Sequence, residues 1–175
     1  LAHGQSAQFT RFDTFYTPGE IGLTENPGYA SPYLQLPQRD TFMKLYYTPG
    51  ACSLATHITL QETNADFTLE KVDLATHRTE SGVDFTTINP KGYVPVLELD
   101  DGGVLTEVPA ILLYLADHMD KNLVPTAGCM ERYHFYSWLN FITSELHKSF
   151  GPLFKPDTPE AWKTQLKQAL AKRCE

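Results

Sequence analysis

Met43-Lys-Leu-Tyr-Tyr-Thr-Pro-Gly-Ala-Cys-Ser-Leu-Ala-Thr-His-Ile58 is the stretch that decides the fold, because it holds a strand, a turn and the start of a helix. Lys44–Tyr47 has the composition and spacing of a strand, and Pro49-Gly50 ends it. Ser53–Glu62 then follows the period of a helix. The apolar face of that helix is predicted to be Leu54, Ala55 and Ile58.

Cys52 stands directly before this helix and is the first candidate for chemistry. Free backbone N–H groups and the positive end of the helix dipole meet at such a position. That environment lowers the pKa of a thiol and favours its reactive thiolate. The alternative is a small buried core residue, which is how free cysteines are often used. Ser53 is either a capping hydroxyl or a donor to the neighbouring thiolate.

The composition is that of a globular chain, with 175 residues, 42% hydrophobic and 20% charged. A net charge of −7 argues against a nucleic-acid or anionic-membrane partner, and no apolar run reaches the roughly 18 residues of a membrane span. Three scattered cysteines predict no disulfide framework, and none has a neighbour at zinc-site spacing, so we expect no metal. Without a secretory pattern at the start, we expect reduced thiols and a cytoplasmic location.

Residues 1–42 differ in composition from the rest of the chain. They hold four prolines and four glycines and show no apolar periodicity. This pattern predicts a poorly ordered extension, with Met43 as the natural start.

Three further segments in which apolar residues recur are predicted to be strands. Asp66–Asp73 completes a parallel strand–helix–strand unit, and the polar segment up to Asn89 is interpreted as a short helix or loop. Val94–Leu99 and a strand beginning at Val104-Leu105 flank the hairpin turn Asp100-Asp101-Gly102-Gly103.

A helix capped by Thr106, with Glu107 in its first turn, is predicted to follow. Its apolar stripe consists of Ile111, Leu112 and Leu115. The order β-α-β-loop-β-β-α is that of a thioredoxin-type α/β domain, which we place at 43–120.

After a linker at 120–125, residues 126–175 predict a partial all-helical domain. A long amphipathic helix begins near residue 127 and ends at Gly151-Pro152. Its apolar face is formed by Phe135, Trp138, Leu139, Ile142, Leu146 and Phe150. A second helix has Pro159 at its first position and runs into Lys172. Two helices are only part of a bundle, so their apolar faces need a further partner.

Two dipeptides in the α/β domain have both a structural and a functional interpretation. Val94-Pro95 either starts a strand or holds a cis bond that presents the Val94 backbone to a peptide beside Cys52. Thr106-Glu107 is either a helix cap or a site for a ligand ammonium, with free helix N–H groups for a carboxylate.

Asn140 and His147 lie two helical turns apart and therefore share one predicted face. Lys148 adjoins them, and a cation or donor aimed at a thiolate would stabilise its charge. The alternative is ordinary, because a lone helical histidine is commonly packed or solvated.

Five separate stretches form a specific set of motifs: Met43 to Leu54, Asn89-Pro-Lys-Gly-Tyr-Val-Pro-Val-Leu97, Leu105-Thr-Glu107, Trp138-Leu-Asn140 through Glu145-Leu-His-Lys148, and Phe150-Gly-Pro-Leu-Phe-Lys-Pro-Asp-Thr-Pro-Glu160. Together they resemble the bacterial beta-class glutathione S-transferases. The resemblance implies a thioredoxin-like domain followed by an all-α helical domain, a homodimer, and glutathione as co-substrate.

The resemblance also implies roles for single residues of the α/β domain. Cys52 would face the glutathione sulfur and form a mixed disulfide with it, and Val94, before a cis Pro95, would bind the cysteinyl backbone. Glu107 would hold the γ-glutamyl ammonium, and the N–H of Val108 its carboxylate.

From the helical domain, Asn140, His147 and Lys148 would reach the sulfur and the electrophile pocket. Two departures from the family predict looser glutathione binding. Val108 and Pro109 replace residues that offer further contacts, and His77 stands where a lysine often binds the glycyl carboxylate. The helical domain is also shorter than in the family, so we expect a truncated chain with incompletely covered helices.

The predicted function is therefore conjugation of glutathione to small apolar electrophiles, thiol–disulfide exchange on glutathione adducts through Cys52, or both. One alternative is a non-catalytic binder of apolar ligands. Another is an inactive truncated fragment.

Overall fold

The computed structural model describes residues 42–119 and 122–175. The prediction of a poorly ordered extension thus lies outside the described residues, apart from Phe42 at its end. No helix within the described ranges is long and apolar enough to cross a membrane.

In the part of the chain that the structure describes, a mixed sheet of five strands comes first. The strands are β1 (Met43–Tyr47), β2 (Phe67–Asp73), β3 (Arg78–Thr79), β4 (Val96–Glu98) and β5 (Val104–Thr106). Their order across the sheet is β3-β2-β1-β4-β5. β1 pairs in parallel with β2, and the other three pairings are antiparallel. Because β1 lies at the centre of the sheet, the turn that follows Tyr47 starts from a fixed point, and this turn positions the residues of the helix after it.

Within the described residues, five α-helices accompany the sheet: α1 (Ser53–Glu62), α2 (Val108–His118), α3 (Met130–Phe141), α4 (Lys148–Phe150) and α5 (Glu160–Cys174). A π-helical segment, Ile142–His147, joins α3 to α4, and 3₁₀ turns occur at Phe85–Thr87 and Gly151–Phe154. The predicted order β-α-β-loop-β-β-α is confirmed, with β3 as an additional short strand. The fold is a thioredoxin-like α/β part followed by an all-helical part.

Alternation along β1 divides the core between the two faces of the sheet. Met43 and Leu45 point to the side covered by α1 and α2 and are fully buried there. They pack in a cluster with Leu60, Leu97, Ile111 and Leu115. Tyr46 points to the opposite side, into a second cluster with Val72, Phe85, Val94 and Val96. Phe85, in a polar segment interpreted from sequence as a short helix or loop, is fully buried on that second face.

The predicted apolar face of α1 is wrong. Leu54 and Ile58 are 56% and 51% exposed, whereas Ser53, Thr56 and Leu60 are buried. The buried positions are spaced as i, i+3 and i+7 and therefore also define one helix face. Both hydrogen bonds of the Ser53 hydroxyl go to Thr48 at the end of the strand, which turns this face inward.

The predicted cap of α2 is also wrong by one residue. Thr106 is still paired with Val96 in the sheet, so its backbone stays extended. Glu107 takes the cap position with φ = 70° and makes no side-chain capping bond. Val108 and Pro109 are the first helical residues, and the missing N–H of Pro109 costs no helical bond at that position.

The predicted long helix from 127 is confirmed in outline, but it is not one regular α-helix. The π-helical segment Ile142–His147 interrupts it. Of the predicted apolar face, Trp138, Ile142 and Phe150 are exposed and the other members are half-buried. Pro159 is the cap of the last helix, one residue before its first turn. The helical part therefore keeps exposed apolar side chains, as expected from the sequence.

Arg132 joins the helical part to the α/β part. Its side chain is nearly fully buried and donates to Asp117 Oδ2 at 2.7 Å, to the Pro125 carbonyl at 3.0 Å and to Tyr136 Oη at 2.8 Å. The hydrogen bond with Asp117 raises the pKa of the guanidinium above its ordinary value. This contact links α2, the connecting segment and α3 through one charged group.

Replacing Arg132 with alanine should destabilise the protein. The change removes three hydrogen bonds from a charged donor and leaves the Pro125 carbonyl without its partner. We expect the free energy of unfolding to fall by about 2–4 kcal/mol, which urea unfolding followed by circular dichroism can measure. Lys155→Ala, at an exposed lysine, is the matched control and should change it by less than about 0.5 kcal/mol. Equal stabilities of the two variants would show that the Arg132 contact contributes nothing.

Candidate active site

The turn between β1 and α1 is held by Thr48 and Ser53. The Ser53 hydroxyl accepts a hydrogen bond from the Thr48 N–H and donates one to the Thr48 carbonyl, both at 3.2 Å. The Thr48 hydroxyl donates to the Val72 carbonyl at 2.7 Å, which ties the turn to β2. Ser53 is almost fully buried. Both hydrogen bonds of its hydroxyl therefore go to the turn, so the contact to the Cys52 thiolate considered above does not occur here.

Cys52 caps α1, and its thiol donates to the Val94 carbonyl at 3.3 Å. The prediction of a lowered thiol pKa is wrong, because the pKa of Cys52 is raised. Burial is the main cause, since it penalises the charged thiolate, and the negative charge of Glu107 adds to it. The backbone N–H groups of Cys52 and Ser53 lower the pKa without overcoming these effects. With its pKa raised, the Cys52 side chain is a thiol that donates its hydrogen to the Val94 carbonyl.

The segment that carries Val94 is fixed by Asn89. Asn89 is almost fully buried; its side-chain amide donates to the Tyr93 carbonyl at 2.7 Å and its side-chain oxygen accepts the Lys91 N–H at 3.2 Å. The Val94–Pro95 peptide bond is cis, which the sequence could not decide. These contacts hold the Val94 carbonyl beside the Cys52 thiol.

Glu107 lies at the start of α2, within electrostatic reach of Cys52. Its φ of 70° is uncommon for a residue with a side chain and marks a position held by its surroundings. Lys91 Nζ lies 3.3 Å from Glu107 Oε1, and both side chains are exposed. Sequence reasoning missed Lys91, although its place in Asn89-Pro-Lys-Gly92 was a usable signal.

His77 lies against the loop that contains Gly92. A Cβ at Gly92 would stand 2.7 Å from His77 Cε1, so a side chain there would push the His77 ring aside, and the φ of 69° at Gly92 also favours glycine. His77 Nδ1 is buried and has no hydrogen-bond partner among the described residues. His77 itself has φ = 52° and is half-buried. It packs on the loop with its ring.

The three predicted residues of the helical part are not brought into contact with Cys52. Asn140 lines a groove of about 220 Å³ with Pro109, Leu113, Tyr136 and Leu139. His147 and Lys148 are exposed, and neither side chain makes a hydrogen bond or ion pair within the described ranges.

The expected shared face of Asn140 and His147 assumed a regular α-helix between them, and the structure has a π-helical segment there instead. The π-helical segment between them has a wider turn than an α-helix, so seven residues no longer complete two turns. The structure therefore brings together only the α/β half of the candidate site: Cys52 contacts Val94, and Glu107 lies within electrostatic reach of Cys52.

Within residues 42–119 and 122–175, no group of three or more His, Cys, Asp or Glu side chains is arranged to hold a metal ion. The chemistry available at the assembled half is that of a thiol, a carbonyl acceptor, a carboxylate and the free N–H groups of a helix start. Such a set suits a peptide-like ligand with a sulfur atom and an ammonium group.

Comparison with known proteins identifies the family. Residues 50–118 match the glutathione S-transferase N-terminal domain. The chain is 54% identical over 132 residues to glutathione S-transferase GstA of Escherichia coli O157:H7, covering 75% of this chain and 66% of GstA. The solved beta-class glutathione S-transferase of Sphingomonas chungbukensis is 52% identical with a TM-score of 0.71, covering 74% and 65%.

A glutathione transferase homologue from Sulfitobacter, solved with bound glutathione, is 30% identical with a TM-score of 0.66; the match covers 76% of this chain and 67% of the homologue. The chain spans about two thirds of the length of these three relatives. The resemblance inferred from the motifs is confirmed, and the chain belongs to the glutathione S-transferase family.

Proposed function

We propose that this chain binds glutathione beside Cys52 and serves in glutathione conjugation to electrophiles, in thiol–disulfide exchange, or in both. The observation that supports it most is the contact of the Cys52 thiol with the Val94 carbonyl, next to Glu107 at a helix start. The family membership and the glutathione bound to the Sulfitobacter homologue point to the same ligand.

The cysteinyl and γ-glutamyl units of glutathione each have a suitable group in the assembled half of the site. The backbone of Val94, before Pro95, would pair with the cysteinyl unit and bring its sulfur next to Cys52. Glu107 would accept the γ-glutamyl ammonium, and the N–H of Val108 at the start of α2 would donate to the carboxylate.

The remaining assignments concern residues that lie apart from Cys52. Asn140, His147 and Lys148 would approach the sulfur and the electrophile from the helical part, and His77 would face the glycyl carboxylate. On this view, 43–120 is the glutathione-binding domain and 126–175 is part of the helical domain. A homodimer, small apolar electrophiles and a cytoplasmic location complete the proposal.

In the exchange reaction one sulfur–sulfur bond forms as another breaks. The Cys52 thiolate attacks one sulfur of oxidised glutathione, forming a bond from Cys52 Sγ to that sulfur while the original disulfide breaks and releases a glutathione thiolate. In conjugation, the glutathione thiolate instead forms a bond to an electrophilic carbon and the leaving group departs. Since burial and Glu107 raise the pKa of Cys52, its own thiolate is scarce at neutral pH and the exchange should quicken as the pH rises.

Replacing Cys52 with alanine should abolish the glutathione mixed disulfide of this site. Incubation with oxidised glutathione, followed by intact mass and peptide mapping, should place an adduct on the peptide that contains Cys52 in the unsubstituted protein. Cys174→Ala is the control, because Cys174 is exposed and can react without any binding site. An adduct that forms on Cys174 but never on Cys52 would contradict the proposal.

Replacing Glu107 with glutamine should lower the pKa of Cys52, because it removes a negative charge that raises it. The thiolate fraction at neutral pH then increases, so alkylation by iodoacetamide should be a few-fold faster. The midpoint of the rate against pH, followed from about pH 6 to about pH 10, should shift downward.

The alkylation rate is measured on the Cys52 peptide by mass spectrometry. Glu62→Gln, at an exposed carboxylate at the end of α1, is the matched control and should leave the midpoint where it is. A midpoint that does not differ between the two variants would rule out the influence of Glu107 on the thiol.

A further inference from the structure

The ammonium of Lys91 lies on the carboxylate that a ligand ammonium would need. Lys91 Nζ is 3.3 Å from Glu107 Oε1. We propose that Lys91 is an internal competitor of the γ-glutamyl ammonium: it pairs with Glu107 in the free protein and must leave before glutathione can bind there. This inference rests on the proposed function and makes Lys91 a residue that tunes affinity and ligand choice.

The pair is accessible enough to be exchanged. The side chains of Lys91 and Glu107 are 57% and 61% exposed. Within the described ranges, Lys91 is the only cation paired with Glu107. Exposed ion pairs contribute little to stability, because water and salt screen both charges. In the free protein the Glu107 carboxylate is therefore paired with Lys91, but the pair is weak enough for a ligand ammonium to replace the lysine.

The Glu107 side chain can exchange Lys91 for another cation because it makes no hydrogen bond that caps α2. Glu107 occupies the cap position of α2, yet its side chain makes no capping hydrogen bond. Its backbone has φ = 70°, and the ion pair with Lys91 involves only the side-chain carboxylate. The carboxylate can thus pass from the lysine to a ligand without loosening the helix.

Displacement of the Lys91 side chain leaves the rest of the site in place. The Lys91 N–H is bonded to the Asn89 side chain, and the Gly92 N–H donates to the Asn89 carbonyl at 2.9 Å. The ring of His77 packs against Gly92. With its backbone fixed, only the flexible lysine side chain has to move, and Val94 stays beside Cys52.

Two ammonium groups cannot share this carboxylate without repelling each other. Loss of the Lys91 charge should therefore favour a ligand that brings an ammonium, by no more than the pair itself contributes. For an exposed pair this corresponds to an increase in affinity of up to about fivefold. A ligand without the ammonium gains nothing from Glu107, so its affinity should not rise in this way.

The test measures binding by isothermal titration calorimetry for glutathione and for its analogue that lacks the α-amino group. Lys91→Met removes the charge and keeps the length of the side chain, and Lys91→Arg keeps the charge. Lys155→Met, at a remote exposed lysine, controls for the change in net charge. Circular dichroism establishes that all variants are folded alike.

The expected result is tighter glutathione binding by Lys91→Met, by about two- to fivefold, with Lys91→Arg and Lys155→Met close to the unsubstituted protein. The des-amino analogue should bind all four proteins similarly. Weaker or unchanged glutathione binding by Lys91→Met would overturn the inference, and weaker binding would mean that Lys91 contacts the ligand. If the unsubstituted protein bound no glutathione at all, the proposed function itself would fail.

Discussion

The hydroxyl of Ser53, bonded to both the N–H and the carbonyl of Thr48, is the contact on which the placement of the site depends. It fixes the rotation of α1 about its axis at the first turn. Cys52 is thereby set beside the Val94 carbonyl, and Leu60 is carried into the core. The same rotation turns Leu54 and Ile58 outward, although their spacing alone favoured the opposite face.

The second constraint is electrostatic and lies between the two parts of the fold. Arg132 is buried with Asp117 and Tyr136 as partners, so a charged side chain is buried on α3 ahead of the predicted apolar face, which begins at Phe135. A buried guanidinium is tolerated only when its donors are satisfied, and this one makes three hydrogen bonds. The linkage orients α3 against α2, while Trp138 on the same helix stays exposed.

The position of the reactive group was predictable, whereas its ionisation was not. The turn Thr48-Pro-Gly-Ala-Cys52 and the helix behind it place the thiol at a helix start from local rules alone. Its pKa depends on how much water is excluded and on which charges approach, and Glu107 comes from a position 55 residues further along the chain. Helix-start N–H groups act as expected, but burial outweighs them.

The sequence by itself determined the order of the main strands and helices apart from β3, the thioredoxin-like class, the family and the identity of Cys52, Val94 and Glu107 as candidates. These follow from turn residues, apolar periodicity and motifs, all of which are local in the chain. The tertiary structure alone decided the buried face of α1, the raised pKa of Cys52, the π-helical segment Ile142–His147 and the pairing of Lys91 with Glu107. Burial, helix rotation and long-range ion pairs depend on contacts between segments that are distant in the chain. A local sequence pattern does not specify those contacts.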